Sequence, residues 1–328
     1  MAIHFDPKWG APYWLERERS LGIDVRSVVR TSAELDRLGP MDEDALRQRP
    51  VMDFVPKSQR GDLAGAIIAE TGCTTGKAKR TLFSRSEFHA AFVEPFVRVA
   101  DAAEFPRGGL WLWAGPSGPH VIGEAAAACA AALDSPRPFA IDFDSRWFRK
   151  LPAASLARER YLDHVLEQAL DVIRRQPISV IFTTPVILHA LAERMTIEQR
   201  GRVRGVHYGG MRVGPDLLKS AQTAWFPNAV HLAGYGNSLF GVCMEFGGSP
   251  DRRLRYHPLG VRHQVRVDGD GRVWMTRLDA TVLIANLRER DVGAAAAVPG
   301  PSHPDFGPGV EDPRPDERDA ASFDVGIY

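Results

Sequence analysis

Thr71-Gly72-Cys73-Thr74-Thr75-Gly76-Lys77-Ala78-Lys79 packs two glycines, three threonines and two lysines into nine positions. Glycine permits positive φ and close backbone approach. Consecutive N–H groups in such a turn form an anion nest, while threonine hydroxyls add donors and a lysine adds a point charge. The loop therefore has the chemistry of a phosphate cradle, with a solvated Gly/Thr turn as the structural alternative. It is not a Walker A loop, which needs glycine at 71 and serine or threonine at 78, where this chain has Thr71 and Ala78. Cys73 has no activating neighbour in sequence and reads as a small substitute for glycine.

Outward from the loop, Leu63–Glu70 is an apolar run that predicts a buried strand feeding into it. Ser84 and Glu87 have capping-box spacing, and Phe88, Ala91, Phe92, Phe96 and Ala100 continue with helical spacing. Strand-like runs follow at 109–114, 139–143, 178–183, 203–208 and 229–233. Helical patterns lie between them at 120–133, 157–175, 186–195 and 215–225. This alternation predicts an α/β fold with helix-covered, largely parallel strands. Trp111 and Trp113 alternate and so share one face, as core residues or as the wall of a pocket. Past residue 250 the pattern changes to short strands at 254–257, 264–267, 273–277 and 281–287. Asp268-Gly269-Asp270-Gly271 supplies a hairpin turn. The expected organisation is an α/β core over 1–250, a small β subdomain over 251–298 and a Pro/Gly-rich tail, extended or partly disordered, over 299–328. Residues 1–60 are polar, with short helices expected at 32–38 and 42–47.

The bulk numbers exclude several functions. Lysine plus arginine and aspartate plus glutamate balance at 41 each in 328 residues, so no basic surplus points to nucleic acid or an anionic membrane. Any bound anion must be held by local donors and a few placed cations. Cys73, Cys129 and Cys243 have no C-x-x-C spacing, which signals neither a disulfide framework nor a zinc site. No apolar leader or membrane-length run is evident, so the expectation is a soluble cytoplasmic protein.

The loop resembles the phosphate-binding signature T-S-G-T-T-G-x-P-K of the acyl-adenylate-forming superfamily, matching it at Thr71, Thr74, Thr75, Gly76 and Lys79, with Gly72 inside the same turn. Later segments resemble the phenylacetate–CoA ligase branch in the same order. Gly118-Pro119-His120-Val121-Ile122-Gly123 resembles its G-x-H-Y-G element, and Thr183-Thr184-Pro185 its strand–TP–helix unit. Gly209-Gly210-Met211 stands where that branch presents a loop to adenine. Tyr235-Gly236-Asn237-Ser238 resembles Y-G-x-[ST], and Gly241–Glu245 resembles G-V-x-x-E-C. Asn286–Asp291 is similar to R-Y-R-T-x-D. The compact form is similar to the small adenylation proteins of phenazine (griseoluteate-type) antibiotic biosynthesis.

The resemblance implies the layered αβαβα large domain of adenylate-forming enzymes with a small β subdomain; the C-terminal lid domain that the family normally carries is expected to be absent here. It implies ATP and Mg²⁺ as cofactors, a small aromatic carboxylic acid as substrate, and CoA or a separate acceptor enzyme as partner; a homodimer is left open. Lys79 would face the triphosphate, and Thr71, Gly72, Thr74, Thr75 and Gly76 would donate to it. Gly209, Gly210, Met211, Tyr235, Gly236, Asn237 and Ser238 would line adenine and the α-phosphate, and Asp291 would accept the ribose hydroxyls, its structural alternative being a turn aspartate. His120 would orient the substrate carboxylate, or else pack at a helix start.

Two departures from the pattern bear on mechanism. Leu239 stands where the family has a metal-binding glutamate, and leucine offers a hard cation no oxygen; Glu245 is the substitute candidate. Lysine is absent after Lys219, so no family-type C-terminal lysine comes from the tail. A protein that keeps the fold but only binds an aromatic acid or adenylate for a pathway partner is the second reading.

Overall fold

The computed structural model describes residues 1–71, 77–118, 120–209, 212–246, 253–316 and 318. Where the sequence alternates strand and helix patterns, five parallel strands form: β3 (Leu110–Gly115), β4 (Phe139–Asp142), β5 (Ile178–Thr183), β6 (Gly205–Tyr208) and β7 (Val230–Asn237). Their spatial order is β4-β3-β5-β6-β7, every neighbouring pair parallel. Antiparallel strands then extend the same sheet: β8 (Gly241–Glu245), β9 (Arg255–His257), β10 (His263–Val267), β11 (Arg272–Leu278), β12 (Leu283–Ala296) and β13 (Gly309–Pro315). The result is a mixed α/β fold around one large central sheet of 11 strands, ordered β10-β11-β12-β13-β9-β8-β7-β6-β5-β3-β4.

Period-two alternation decides which side chains meet which layer. On β3, Trp111 and Trp113 point to one face and pack with the helices Glu94–Ala102 and Val121–Ala132. Leu112 and Ala114 point to the other face and meet Leu156–Arg175 and Pro185–Arg194. The parallel strands are thus covered on both sides, as buried parallel sheets require. A third cluster seats the N-terminal 55 residues, through Phe5, Trp14, Leu38 and Phe54, on Val282–Leu287. Among the described residues no helix is long and apolar enough to cross a membrane.

Several expectations change in detail. The strand before Thr71 is only β1 (Ile67–Glu70), and Ile68 on it is 53% exposed. It pairs antiparallel with β2 (Arg80–Phe83), so Thr71–Lys79 is the tip of a hairpin rather than a loop leaving the central sheet. The hairpin lies over helix Val121–Ala132, with Ala69 in the same apolar cluster as Val121 and Ala125. Past Pro299, Gly309–Pro315 inserts between β12 and β9. Its prolines leave this strand unannounced in the sequence. The capping box at Ser84 and Glu87 forms. The helix it starts then widens into a π-turn at His89–Val93, immediately before Glu94–Ala102. Pro95 explains the widening, because its ring would clash with the carbonyl of an ordinary turn.

A buried charge joins the hairpin to the sheet. Arg277 on β11 is fully buried. Its guanidinium donates to the Leu239 carbonyl (2.8 Å), to Thr81 Oγ1 (3.0 Å) and to the Leu82 carbonyl (3.0 Å). It pairs with Asp279 at 3.2 Å and lies 3.9 Å over the Phe83 ring. Glu87 accepts from Ser84 N and from the backbone and hydroxyl of Thr281.

This network makes the hairpin sensitive to a single side chain. Replacing Arg277 by methionine, similar in length but uncharged, leaves Asp279 buried without its close partner and should cost about 3–5 kcal/mol in urea unfolding. Lysine should not restore that loss, because it lacks the planar fork. At Gly236 an added Cβ would stand 1.9 Å from the Gly241 carbonyl. Gly236→Ala should therefore cost about 1–3 kcal/mol or more by the same measurement, through the β7–β8 turn and independently of any ligand.

Candidate active site

The parallel strands carry the order 2-1-3-4-5 if renumbered along the chain, and connections leave in opposite directions on either side of the β3/β5 boundary. In sheets of this kind ligands bind outside the carboxyl ends of the strands, at that reversal. The segments emerging there are Gly115–Gly118 and His120 after β3, Asp142–Asp144 after β4, Thr183–Thr184 after β5, Gly209 after β6 and Asn237–Ser238 after β7. Thr183 Oγ1 donates to the Ala114 carbonyl (2.6 Å), and Asp142 accepts from Ser117 N (2.9 Å). The edge is thereby cross-tied.

The base of the hairpin tip is anchored on both flanks, to this edge on one and to the N-terminal segment on the other. Thr71 N donates to the Lys79 carbonyl (3.0 Å), and Lys79 N to Thr71 Oγ1 (3.1 Å). Next to Thr71, Glu70 accepts from Arg146, just after β4, and from Arg80, both at 2.8 Å. On the opposite flank Lys79 Nζ stands 3.1 Å from Glu43 Oε2. Arg47 Nη2 reaches the same oxygen at 2.7 Å. Gly72, Cys73, Thr74, Thr75 and Gly76 lie outside the described residues, as do Gly210 and Met211.

Lys79, Tyr235, Asn237 and Asp291, which are distant in sequence, are gathered by the pairing of β7 with β8 and the length of β12. Tyr235 is half-buried, its ring 5.6 Å from that of Tyr256, and its hydroxyl donates to Asp291 Oδ2 at 2.9 Å. Asn237 Oδ1 accepts from Leu239 N (2.8 Å) and Phe240 N (2.9 Å), which fixes the turn. Asn237 Nδ2 donates to Glu289 Oε1 at 2.6 Å. Burial pushes Glu289 up to about 7, opposed by the charge of Lys79 and reinforced by Asp291 and Glu43. Burial also raises Asp291, against the Tyr235 hydrogen bond and the Arg272 charge. Tyr235 is raised well above its usual range by burial and by both carboxylates.

Glu289 is the residue that sequence reading missed. The signal was present: Arg288-Glu289-Arg290-Asp291 is a run of charges inside a strand whose preceding residues, 283–287, are all buried. Ser238 sits half-buried in the turn after β7. Gly209 is needed sterically, since a Cβ there would lie 2.9 Å from the Gly234 carbonyl.

His120 occupies a different part of the edge. It is half-buried at the start of helix Val121–Ala132, without capping it through its side chain. It lines a cleft of about 70 Å³ with Trp113, Ser117, Glu124 and Arg137. Trp113 thus serves both core and cleft, and its buried indole N–H has no hydrogen-bond partner among the described residues.

The metal expectation meets resistance. Leu239 is fully buried and packs with Leu82 and Leu283. Glu245 is buried at the end of β8 opposite Tyr256, where its charge adds to burial in raising the phenols of Tyr208 and Tyr256. Among the described residues no group of three or more His, Cys, Asp or Glu side chains could hold a metal ion. The side chains around Lys79 and Tyr235 therefore do not fit a protein-built Mg²⁺ site. They do suit a nucleotide: a cation at the loop base, an aromatic ring, and a carboxylate able to accept from hydroxyls.

No protein-family model and no curated protein sequence matches the chain. Solved structures do. A 2-hydroxyisobutyryl-CoA ligase in the postadenylation state, in complex with R3-HIB-AMP, aligns with a TM-score of 0.59 at 14% identity, over 95% of this chain and 64% of that one. The open conformation of that ligase, in complex with 2-HIB-AMP and CoA, gives 0.57 at 15% identity, over 92% and 69%. The chain thus spans about two thirds of the length of these ligases. The chain has the fold of the adenylate-forming enzymes.

Proposed function

We propose that this chain binds ATP between the hairpin tip Thr71–Lys79 and the Tyr235–Asp291 pair, and activates a carboxylic acid as its acyl-adenylate. The observation that carries this reading is the convergence of Lys79, Tyr235, Asn237 and Asp291 beside the carboxyl edge of the parallel strands. The motif order from Thr71 to Asp291 supports the finer reading, an aromatic acid activated in a secondary-metabolite pathway and passed to CoA or to a separate acceptor enzyme.

The residues have distinct roles in that reading. Lys79 sets a positive charge against the phosphates, with Thr71, Gly72, Thr74, Thr75 and Gly76 as the donors of the tip. Tyr235 offers its ring to adenine together with Gly209, Gly210 and Met211, while Gly236 and Ser238 border the α-phosphate. Asp291 accepts from the ribose hydroxyls. His120 and Trp113 border the cleft for the acid and orient its carboxylate. The acid oxygen bonds to the α-phosphorus, the bond to the bridging oxygen breaks, and pyrophosphate leaves with the negative charge. Lys79 and the tip donors favour that step by electrostatic stabilisation and positioning. Mg²⁺, when bound, would supply further charge neutralisation to the phosphates.

Carboxylate-dependent ATP–pyrophosphate exchange across a panel of aromatic acids tests the reading. Exchange is expected with at least one acid, and Lys79→Ala should lower it by about tenfold or more, the loss of one charge-assisted contact. No exchange with any acid, and no difference between the wild type and Lys79→Ala, would sink it. Asp291→Ala should weaken ATP about ten- to a hundredfold while barely changing the affinity for 2′,3′-dideoxy-ATP. Equal losses for both nucleotides would remove Asp291 from the ribose.

A second reading, binding without turnover, is favoured by Leu239 at the family's glutamate position and by the engagement of Lys79 with Glu43. Calorimetry separates the two: tight binding of an aromatic acid with no binding of ATP supports the second.

A further inference from the structure

The cleft beside His120 has a notch in its wall. Trp113 is 2% exposed, and its indole is held from two sides. The Phe182 ring lies edge-on at 4.8 Å and 72°. Gly115 leaves the indole room, since a Cβ there would stand 2.4 Å from its Cζ2. So fixed, the indole Nε1–H has no hydrogen-bond partner among the described residues. It lies beside Gly123, in the first turn of helix Val121–Ala132. The position that a Cβ would take on Gly123 is 3.6 Å from Trp113 Nε1, 3.5 Å from Ser117 Cα and 3.4 Å from the Pro116 carbonyl oxygen. Trp113, Ser117 and Gly123 all line the cleft, so this atom-sized gap belongs to it.

The two polar atoms beside the notch are of opposite kind. An indole N–H only donates and a carbonyl only accepts, and the Pro116 carbonyl accepts no hydrogen bond among the described residues. An oxygen in the notch needs to settle by about half an ångström to reach hydrogen-bonding distance of the indole. A carboxylate oxygen would set its charge against the carbonyl dipole, and a methyl would leave the buried donor stranded. A hydroxyl accepts and donates, and so suits both atoms. The whole cleft is about 70 Å³, less than half of the roughly 150 Å³ that encloses a benzene ring. It therefore takes a hydroxyl with the adjoining edge of a ring. The remainder lies towards Glu124 and Arg137, two exposed side chains 3.9 Å apart.

Resting on the reading of this cleft as the acid's, we propose that the Gly123 notch recognises a hydroxyl on the substrate. Trp113 Nε1–H donates to that hydroxyl and the Pro116 carbonyl accepts from it, so the acids activated are hydroxylated aromatic acids. Trp113 is then a specificity-determining residue as well as a core one. Held by its hydroxyl, the acid has one direction in which to present its carboxylate. Selection comes from a buried donor that an acid without the hydroxyl leaves unsatisfied.

Calorimetric titration of the whole chain with hydroxybenzoates and hydroxynaphthoates, each beside the acid that carries a methyl in place of the hydroxyl, tests this. At least one hydroxy acid should bind about ten- to a hundredfold more tightly than its methyl partner. Its binding should also move the indole N–H proton resonance of Trp113, identified by its loss in Trp113→Phe. Trp113→Phe keeps a ring in the core and should remove most of the preference. Gly123→Ala fills the notch at ordinary contact distances and puts a better helix former on the helix. It should erase the same preference in a chain at least as stable. Hydroxy and methyl acids bound equally by the wild type, or a preference that survives Gly123→Ala, overturn the proposal, and the exchange assay then still decides acyl-adenylate formation by itself. Binding of no acid overturns the proposal too, and absence of exchange with it removes the adenylation reading as well. The wild type and Gly123→Ala decide the matter even where Trp113→Phe fails to fold.

Discussion

The guanidinium of Arg277 holds the candidate site together. It sits where three pieces of chain meet that also share one apolar cluster through Leu82, Leu239 and Val282: the hairpin strand β2, the turn after β7 and the turn between β11 and β12. A buried cation is tolerated only when paired and hydrogen-bonded, and Arg277 meets that condition through Thr81, Leu82, Leu239 and Asp279. Lys79 lies two residues before Thr81, and Asn237 two residues before Leu239. Arg277 thus ties the base of the hairpin to the Tyr235 side of the candidate site. His4 extends the network to the N-terminal segment, its Nε2 lying 2.7 Å from the Asp279 carbonyl. That residue stays neutral, since burial pushes it down to about 4.

The sheet contributes the second constraint. The parallel strands gather the loops that follow them on one edge, and the antiparallel extension bends long β12 back so that Glu289 and Asp291 reach that edge from the other side. A register shift in β12 accompanies this return, with Asn286 at φ +52. The strain at that residue is held by its amide, which donates to the carbonyls of Leu35 (2.7 Å) and Gly39 (3.1 Å). An αL conformation is tolerable for asparagine more than for most residues.

Much of this was legible because apolar periodicity reports burial directly. The runs at 109–114, 178–183 and 229–233 became β3, β5 and β7, and the helices between them fell within a few residues of their patterns. What escaped has a physical reason in each case. β2 is short, and the charged, proline-rich residues of β13 carry no alternation. The first strand looked buried because Ala69 and Ile68 are both apolar, yet a hairpin strand resting on a helix buries only one face. Within the site, motif order singled out Lys79, Tyr235, Asn237 and Asp291, but it could not show that Glu43 pairs with Lys79 from 36 residues before it, or that Glu289 accepts from Asn237 across 52 residues. Spacing along a sequence cannot register such pairs.

Leu239 shows how a departure from a motif becomes part of the fold. Asn237 caps the backbone N–H groups of Leu239 and Phe240, Arg277 takes the Leu239 carbonyl, and the leucine side chain fills the cluster that seats the N-terminal segment. A glutamate here would place a carboxylate among Leu82, Val282 and Leu283, where the nearest cation has already committed its donors. Desolvating that charge would cost several kcal/mol. Leu239 is thus not a lone apolar side chain in an otherwise polar cation site. The turn is packed around an apolar residue, and the acidic groups nearest Lys79, Tyr235 and Asn237 are Glu43, Glu289 and Asp291. Lys79 shares Glu43 with Arg47, while Asp291 has the Tyr235 hydroxyl and the charge of Arg272, so an anion drawn to Lys79 would have to compete with Glu43 for it.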